Sequence, residues 1–508
     1  LAAAEPLYRE VLEVRRKEMG MVFQSFALMP HMSVLENAAF GLEISGIGEQ
    51  ERKARAIEAL RQVREDLDFL ELVHRLDRDT SGCLLLAKNR ESLLSLNTAL
   101  RENGENVSVG TLRPGAPAWF TGLVDLNTNL GAMPLTGDNQ ATLISEYQVS
   151  LDAMAEAIRG ARSYVHVEFY ILQTDASTDN FFAALEEVAA RGVTVRVLLD
   201  HWANRGKPFY KKTLQRLDRM GAAWHLMLPV QPLKGKWQRP DLRNHRKLLV
   251  VDGEVAFVGS QNVTDSTYNL KKNIKRGLHW VDLMARVEGP VVSSIDVVFL
   301  SDWYSETGEI LTDQVDLASV ASSDGNLDCQ IVPSGPGFEY QNNLKLFMGL
   351  LFAAREKIII VSPYFVPEES LLLSLVTACQ RGIHVELFVS EEGDQAMVYH
   401  AQRSYYEALL RAGVTIWMYK RPFILHSKSL TIDDEVAVIG SSNMDMRSFG
   451  LNMEISMMVR GEEFVADMRR VEAEYRSLSR ELTLEEWLKQ PLRSTVLDNL
   501  ARLTSALQ

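Results

Sequence analysis

The chain writes one pattern twice, as HRKLLVVDGEVAFVGSQN from His245 to Asn262 and as HSKSLTIDDEVAVIGSSN from His426 to Asn443. Both copies keep H-x-K-x4-D-x6-G-S-x-N, so His245, Lys247, Asp252, Gly259, Ser260 and Asn262 correspond one for one to His426, Lys428, Asp433, Gly440, Ser441 and Asn443. Coincidence does not place so many residues in register; the chain has to contain one substructure twice. The text ahead of each copy agrees. SYVHVEFYIL (Ser163–Leu172), DNFFAALEEVAARG (Asp179–Gly192) and VTVRVLLD (Val193–Asp200) read as strand, amphipathic helix and strand, and EKIIIVSPYFV, ESLLLSLVTACQRG and IHVELFVS repeat that order between Glu356 and Ser390. Strands alternating with helices give βαβ units and a parallel or mixed sheet covered on both faces. The expected fold is α/β: two similar domains facing each other, each a mixed β-sheet flanked by helices.

In an extended strand, residues i and i+2 point to one face, so each motif His projects beside its Lys. The chain then turns through VDGEV or IDDEV and returns to end in small residues. An imidazole and a cation thus stand beside Gly-Ser backbone amides and the Asn262 or Asn443 side chain, which suits an anion. Asp252 and Asp433 read first as scaffold, because Asp is favoured in hairpin turns. Asp282 and Glu454 each precede a glycine, Gly289 and Gly461, by seven residues. A carboxylate there can hold a ring nitrogen of its own or of the opposing histidine, fixing the tautomer and raising basicity.

Composition narrows the partners. With 46% hydrophobic and 24% charged residues the 508-residue chain is of ordinary globular type, and 54 Lys+Arg against 67 Asp+Glu, a formal charge of −13, does not favour nucleic acid. Residues 201–250 run against that balance, with twelve Lys/Arg and two acids. Trp202, Phe209, Tyr210, Trp224 and Trp237 are interleaved there, which reads as a membrane-surface face. Cys83, Cys329 and Cys379, odd in number and far apart, read as reduced thiols. The opening LAAAEPLYREVLEVRRKEMG lacks the apolar core of a signal peptide. No apolar run is long enough to span a bilayer; Leu344–Val361 is broken by Lys345, Arg355, Glu356 and Lys357 and reads as a buried helix followed by a buried strand.

The doubled motif resembles the phospholipase D superfamily. Over about residues 105–508, AIRGARSYVHVEFYIL, HWVDLMARVEGPVV, SSNMDMRSFGLNMEIS and LDNLARLTSALQ are similar to bacterial cardiolipin synthases of actinobacterial type. The resemblance implies two phospholipase D-like domains, residues 105–315 and 316–508, and a phosphatidyl transfer in two steps. One histidine, assigned as His245, forms a phosphohistidine; the other, His426, protonates the departing alcohol and deprotonates the incoming one. It also implies a catalytic set of His245, Lys247, Asp252, His426, Lys428 and Asp433, substrate binding by Ser260, Asn262, Ser441 and Asn443, and orientation by Asp282 and Glu454. No metal and no cofactor are implied. Donor and acceptor would both be phosphatidylglycerol, with glycerol leaving. The partners would be that lipid and an anionic membrane surface, with no nucleic acid and with protein partners open. Such synthases usually begin with two membrane-spanning helices, whose place is taken here by other sequence, so peripheral association on the cytoplasmic side of the membrane is expected. A phosphodiesterase of the same superfamily acting on lipid or nucleic acid, and an inactive chimeric product, are the alternatives.

Two short pieces precede this region. Residues 1–64, with MVFQSFALMPHMSVLENAAFGLEISGI, resemble the Q-loop region of an ABC transporter ATPase, Gln24 taking the Q-loop position, yet the chain has no G-x-x-x-x-G-K-[ST] phosphate loop. Residues 65–104 contain HRLDRDTSG, similar to the catalytic motif of RNA pseudouridine synthases, in which Asp77 takes the place of the catalytic carboxylate. Each covers a small part of its family's domain. The chemistry is therefore expected from residue 105 onward, with 1–104 a fragmentary extension.

Overall fold

The computed structural model of the protein describes residues 71–72, 86–87, 116–131, 133–231, 236–309, 311, 323–338 and 341–502. Gln24 and Asp77 lie outside them. Contacts divide the chain into two units, Leu1–Val109 with Gly337–Glu339, and Gly110–Pro336 with Tyr340–Gln508. In the first, Glu71–Leu72 pairs antiparallel with Leu86–Ala87. The remainder concerns the second.

Its first half runs α1 (Ala118–Gly131), β1 (Leu135–Ile144), α2 (Tyr147–Arg159), β2 (Tyr164–Phe169), α3 (Asp179–Ala190), β3 (Thr194–Asp200), β4 (Ala223–Met227) and β5 (Arg243–Asn244). The hairpin β6 (Lys247–Val251) and β7 (Val255–Gly259) follows, then β8 (His279–Val281), β9 (Met284–Glu288) and α4 (Val291–Thr307). The second half runs β10 (Leu327–Ser334), α5 (Asn342–Ala353), β11 (Lys357–Val361), α6 (Glu369–Gln380), β12 (His384–Ser390), β13 (Thr415–Tyr419) and β14 (Phe423–Leu425). The hairpin β15 (Ser429–Ile432) and β16 (Val436–Gly440), then β17 (Asn452–Arg460), α7 (Glu462–Ser477) and β18 (Ser479–Leu482) complete it. Shorter helices and bridges are left unlabelled.

All of these strands but β8 and β14 form one sixteen-stranded sheet in the order β18-β13-β12-β11-β15-β16-β17-β10-β1-β9-β7-β6-β2-β3-β4, with β5 alongside β17. Outward from the antiparallel pair β1·β10, the order 1-9-7-6-2-3-4 in one half matches 10-17-16-15-11-12-13 in the other. The α/β class and the duplication expected from the sequence are both present. The two sheets are not separate, however. Alone, β1 and β10 would each leave a row of unpaired N–H and C=O groups at an edge, and pairing them removes both edges.

Period-2 alternation decides which side chains enter which core. Leu248 and Val250 of β6 pack with α4 residues such as Ile295 and Phe299, whereas Leu249 and Val251 pack with Leu151 of α2 and Phe181 of α3. The first of these cores also takes Phe464 and Met468 of α7, so it spans both halves. Helix α1 belongs to the first half in sequence, yet its Phe120, Leu123 and Val124 pack with Leu346, Phe347 and Leu350 of α5 in the second. Among the described residues no helix is long and apolar enough to cross a membrane. The stretch Leu344–Val361 is helix and strand, as its charges require.

Candidate active site

Each motif histidine is anchored on the other half. β5 pairs parallel with β17, Asn244 opposite Met453, and the His245 N–H donates to the Met453 carbonyl at 2.9 Å. β8 pairs parallel with β14, Val281 opposite Leu425, and the His426 N–H donates to the Val281 carbonyl at 2.7 Å. The next residues along those partner strands are Glu454 and Asp282. His245 Nδ1 accordingly lies 3.0 Å from both oxygens of Glu454, and His426 Nδ1 lies 2.7 Å from Asp282 Oδ1. The sequence left open whether each acid serves its own or the opposing ring; the arrangement is crossed. With Nδ1 occupied on both rings, Nε2 is the nitrogen left for chemistry.

The motif serines sit behind the acids. Ser260 Oγ donates to Asp282 Oδ1 at 2.7 Å and accepts from the Leu283 N–H at 3.0 Å. Ser441 Oγ donates to Glu454 Oε2 at 2.5 Å and accepts from the Ile455 N–H at 2.9 Å. These hydroxyls, expected at the substrate, are committed to holding the carboxylates. The preceding glycines permit the approach: a Cβ on Gly259 would lie 2.3 Å from the Leu283 carbonyl oxygen, and one on Gly440 the same distance from that of Ile455.

Lys247 and Lys428 are buried, and each ammonium donates to the carbonyl of its own motif histidine. Lys247 lies 5.3 Å from the Tyr170 ring centroid, and Tyr170 meets the His245 ring edge to face at 4.8 Å. Tyr268 stands 6.4 Å from the His426 ring. The two asparagines differ. Asn262 accepts from the Ile171 N–H and donates to the Tyr268 hydroxyl, both at 2.9 Å, so it ties the loop after β2 to Tyr268. Asn443 is buried with its Oδ1 unpaired among the described residues.

Asp252 and Asp433 lie away from this cluster. Each sits five residues beyond its motif lysine, about 16 Å along an extended strand. The Asp252 carboxylate accepts from the N–H groups of Arg162, Ser163 and Tyr164 at 2.7 to 2.8 Å; Asp433 does the same for Arg355, Glu356 and Lys357 at 2.8 to 3.0 Å. Both therefore pin the start of β2 or β11 to the hairpin, the scaffold role expected of a turn aspartate and not the catalytic one that the motif suggests. Their own φ values, 54° and 50°, are in the left-handed region, which Asp tolerates better than most residues.

Burial and crowded cations lower the basicity of the imidazoles and ammoniums in the pocket. Burial, then Lys247 and Lys428, holds His245 well below the usual imidazole range. Burial and Lys428, opposed by Asp282, bring His426 down to about 4. Burial lowers Lys247 to about 7 and Lys428 to about 8. The two acids diverge. Burial raises Glu454 to about 7 against the pull of Lys247, whereas for Asp282 the upward push of burial is outweighed by His426, Lys428 and the Ser260 hydrogen bond, leaving it below the usual carboxylate range. An anion entering here would raise the imidazoles and ammoniums together.

The basic stretch before the first motif is only partly a surface. Arg243 is buried on Asp200, Arg246 on Asp302, and Arg216 binds Asp179 and Glu186, so these cations, with Lys247, face inward. Trp202 is exposed beneath the Arg205 guanidinium, 5.8 Å from its ring centroid. Sequence reasoning also missed Tyr170, Tyr268 and Arg246. The signal for Arg246 was its position between the motif His and Lys; its target, Asp302, is visible only in the fold.

The chain matches the family described as cardiolipin synthase, PLD-like domain, over residues 154–288 and 348–474. A second family, RNA pseudouridylate synthase, matches residues 16–107. Cardiolipin synthase A of Yersinia pseudotuberculosis serotype O:1b (strain IP 31758) is 35% identical over 365 residues, covering 71% of this chain and 74% of that protein. The Yersinia pestis enzyme gives the same figures, 35% over 365 residues with 71% and 74% covered. Among solved structures, the phosphatidylserine synthase of Haemophilus influenzae Rd KW20 superposes with a TM-score of 0.58 at 14% identity, covering 76% of this chain and 100% of that one. At that identity the likeness concerns the fold alone.

Proposed function

The chain belongs to the cardiolipin synthase, PLD-like domain family and is a phosphatidyltransferase of the phospholipase D superfamily, and from that premise we propose that it joins two phosphatidylglycerol molecules through a phosphohistidine on His245, releasing glycerol. In the first half-reaction Nε2 of His245 attacks the donor phosphorus. The N–P bond forms as the P–O bond to glycerol breaks, and His426 gives its proton to the departing oxygen. In the second, the hydroxyl of the acceptor lipid returns a proton to His426, its oxygen bonds phosphorus, and the N–P bond to His245 breaks. Lys247 and Lys428 balance the charge that gathers on the non-bridging oxygens.

The observation that carries this reading is the crossed anchoring, by which both rings are oriented through Nδ1 by acids from the opposite half. Asp282, held ionised, stabilises the imidazolium that His426 must become. The phosphodiester's negative charge raises His426 from its depressed value toward protonation at the moment a donor is bound. A cleft is lined in part by Tyr364, Asp394 and Ile424, the last of them two residues before His426, and an alcohol whose proton His426 handles would have to reach that part of the molecule. Exposed Ile274, among the cations of the short helix Lys271–Arg276, and exposed Trp202 support peripheral placement on an anionic membrane face; the cytoplasmic side is what the family resemblance implies.

The test is the full chain on phosphatidylglycerol vesicles, with cardiolipin, phosphatidic acid and free glycerol followed together and DNA offered in parallel. One glycerol released per cardiolipin is the expected result. Phosphatidic acid without cardiolipin would make the protein a hydrolase, and cleaved DNA a nuclease.

A further inference from the structure

The cleft beside His426 holds chemistry that the transfer steps leave unused. It lies at the carboxyl ends of neighbouring parallel strands: Tyr364 follows β11, and Glu392, Asp394 and Gln395 follow β12. That end of an α/β sheet is where ligands are received. Ile424 in its wall is two residues before His426, and Ser390, also in its wall, donates through Oγ to the Leu425 carbonyl at 3.3 Å, so the wall of the cleft runs along the chain toward the imidazole.

Its polar groups are arranged for hydroxyls. The Tyr364 phenol donates to Asp394, 3.0 Å from both carboxylate oxygens, and accepts from Gln395 Nε2 at 3.1 Å. An ionised carboxylate offers about four acceptor sites, and among the described residues the Tyr364 proton is the one hydrogen bond to this carboxylate. Glu392 is already engaged by Arg276 and, at 3.5 Å, by Arg421. Lys207 stands within the field of Asp394, Lys272 Nζ donates to the Asp394 backbone carbonyl at 3.5 Å, and Lys207 caps the Tyr268 ring at 5.6 Å from its centroid. Charge is therefore balanced, which gives no advantage to an ammonium headgroup, while a strong acceptor stays open to a neutral polyol. Among the described residues the first half offers nothing equivalent. At the end of β3 the Asp200 carboxylate is consumed by the N–H groups of Ala203 at 2.8 Å and Asn244 at 3.0 Å and by Arg243.

Resting on the transferase reading, we infer that Asp394, positioned by Tyr364, is the subsite for the alcohol. It accepts hydrogen bonds from the glycerol headgroup and sets the reacting hydroxyl at His426, so that the phosphatidyl group passes to glycerol in preference to water or a simple alcohol. The hydroxyl proton goes to His426 as the O–P bond forms and the bond from His245 to phosphorus breaks; Asp394 forms no covalent bond.

The experiment supplies the full chain with phosphatidyl-p-nitrophenol in vesicles and offers free glycerol and ethanol together. The readout is the ratio of phosphatidylglycerol to phosphatidylethanol, in which any common loss of active enzyme cancels. Asp394→Asn is expected to lower that ratio about 10-fold or more, and Tyr364→Phe by a smaller factor of about 3. A ratio unchanged in both variants, with the unsubstituted enzyme still transferring to glycerol, overturns the subsite alone. Failure of the unsubstituted enzyme to transfer to either alcohol overturns the transferase reading and the subsite with it.

Discussion

Strands β2 and β11 occupy matching places beside the two motif hairpins, and what they bury differs. Opposite Leu248 and Val250 of β6, strand β2 carries Glu168 and His166; at the equivalent places opposite Ser429 and Thr431 of β15, strand β11 carries Val361 and Ile359. The covering helices follow suit. Asp296 and Asp302 of α4 are buried, whereas the residues equally far beyond Gly461 are the buried Met468 and the exposed Glu474. Beneath the first motif a polar frame results. His166 Nδ1 lies 2.6 Å from Asp296 Oδ1, Glu168 accepts from Asn244 Nδ2 at 2.9 Å, and Arg246, bonded to Asp302, donates through Nε to the backbone carbonyl of Glu454 at 3.1 Å. The matching residue in the second motif is Ser427. One histidine therefore rests on a hydrogen-bonded frame that reaches the acid orienting it, whereas under the second motif the polar contacts are the local set of Thr431, Glu472 and Arg469, although the immediate geometry of the two rings is the same. The duplicated surface of the pocket is constrained by the reaction; the layer beneath it is constrained only to be filled.

The sharpest way to break the equivalence is to remove each imidazole. His245→Ala and His426→Ala should each lower turnover about 10⁴-fold, as loss of a nucleophile or its acid does elsewhere. They should differ in what accumulates. With a donor whose p-nitrophenolate leaves without help, His426→Ala should build up a covalent phosphatidyl-enzyme and His245→Ala none. Label recovered on His426 instead would reverse the assignment.

The acids come next. Asp282→Asn removes a carboxylate that is ionised beside His426 and should lower kcat about 100-fold. Glu454→Gln replaces a group raised to about 7, so about half protonated at pH 7, and should cost only about 10-fold. Equal losses measured at saturating lipid would show that the two acids do the same work.

The buried frame can be tested through stability. Arg246→Met leaves Glu168 and Asp302 without their cation and should destabilise the fold by about 3 to 5 kcal/mol. Burial and the neighbouring Asp302 hold Glu168 well above the usual carboxylate range in the folded chain. A raised acid binds more protons folded than unfolded, so stability falls as pH rises from the unfolded value toward the folded one. The variant should accordingly melt closer to the wild type at pH 5 than at pH 8; the opposite trend would remove the frame from the account. Smallest on activity should be Asp252→Asn and Asp433→Asn. Each weakens three backbone contacts and should lower stability by about 1 to 3 kcal/mol, with turnover of the folded fraction retained in both, as melting curves and active-site titration would show.

Much of this was legible in the residues. The H-x-K spacing places His and Lys on one side of a strand whatever the tertiary fold, and the alternation along SYVHVEFYIL and the continuous apolar run in EKIIIVSPYFV mark the strands. Asp282 and Glu454 could be picked out because they keep register with a glycine, but their crossing could not, since it depends on β5 lying along β17 and β8 along β14. Ser260 and Ser441 look like phosphate ligands in one dimension because the acids they bind are more than ten residues away in the chain. Arg243 and Arg246 belong to a run of cations in the sequence and to buried ion pairs in the fold. Helix α1 gives no sign in AWFTGLVDLNTNLG that it completes the other half's core.

The exchange of acids between the repeats has a bearing on assembly. A single repeat in isolation would possess a histidine with nothing to steer it and an acid with nothing to steer, until a second repeat, its twin or another copy of itself, came alongside in the same crossed register.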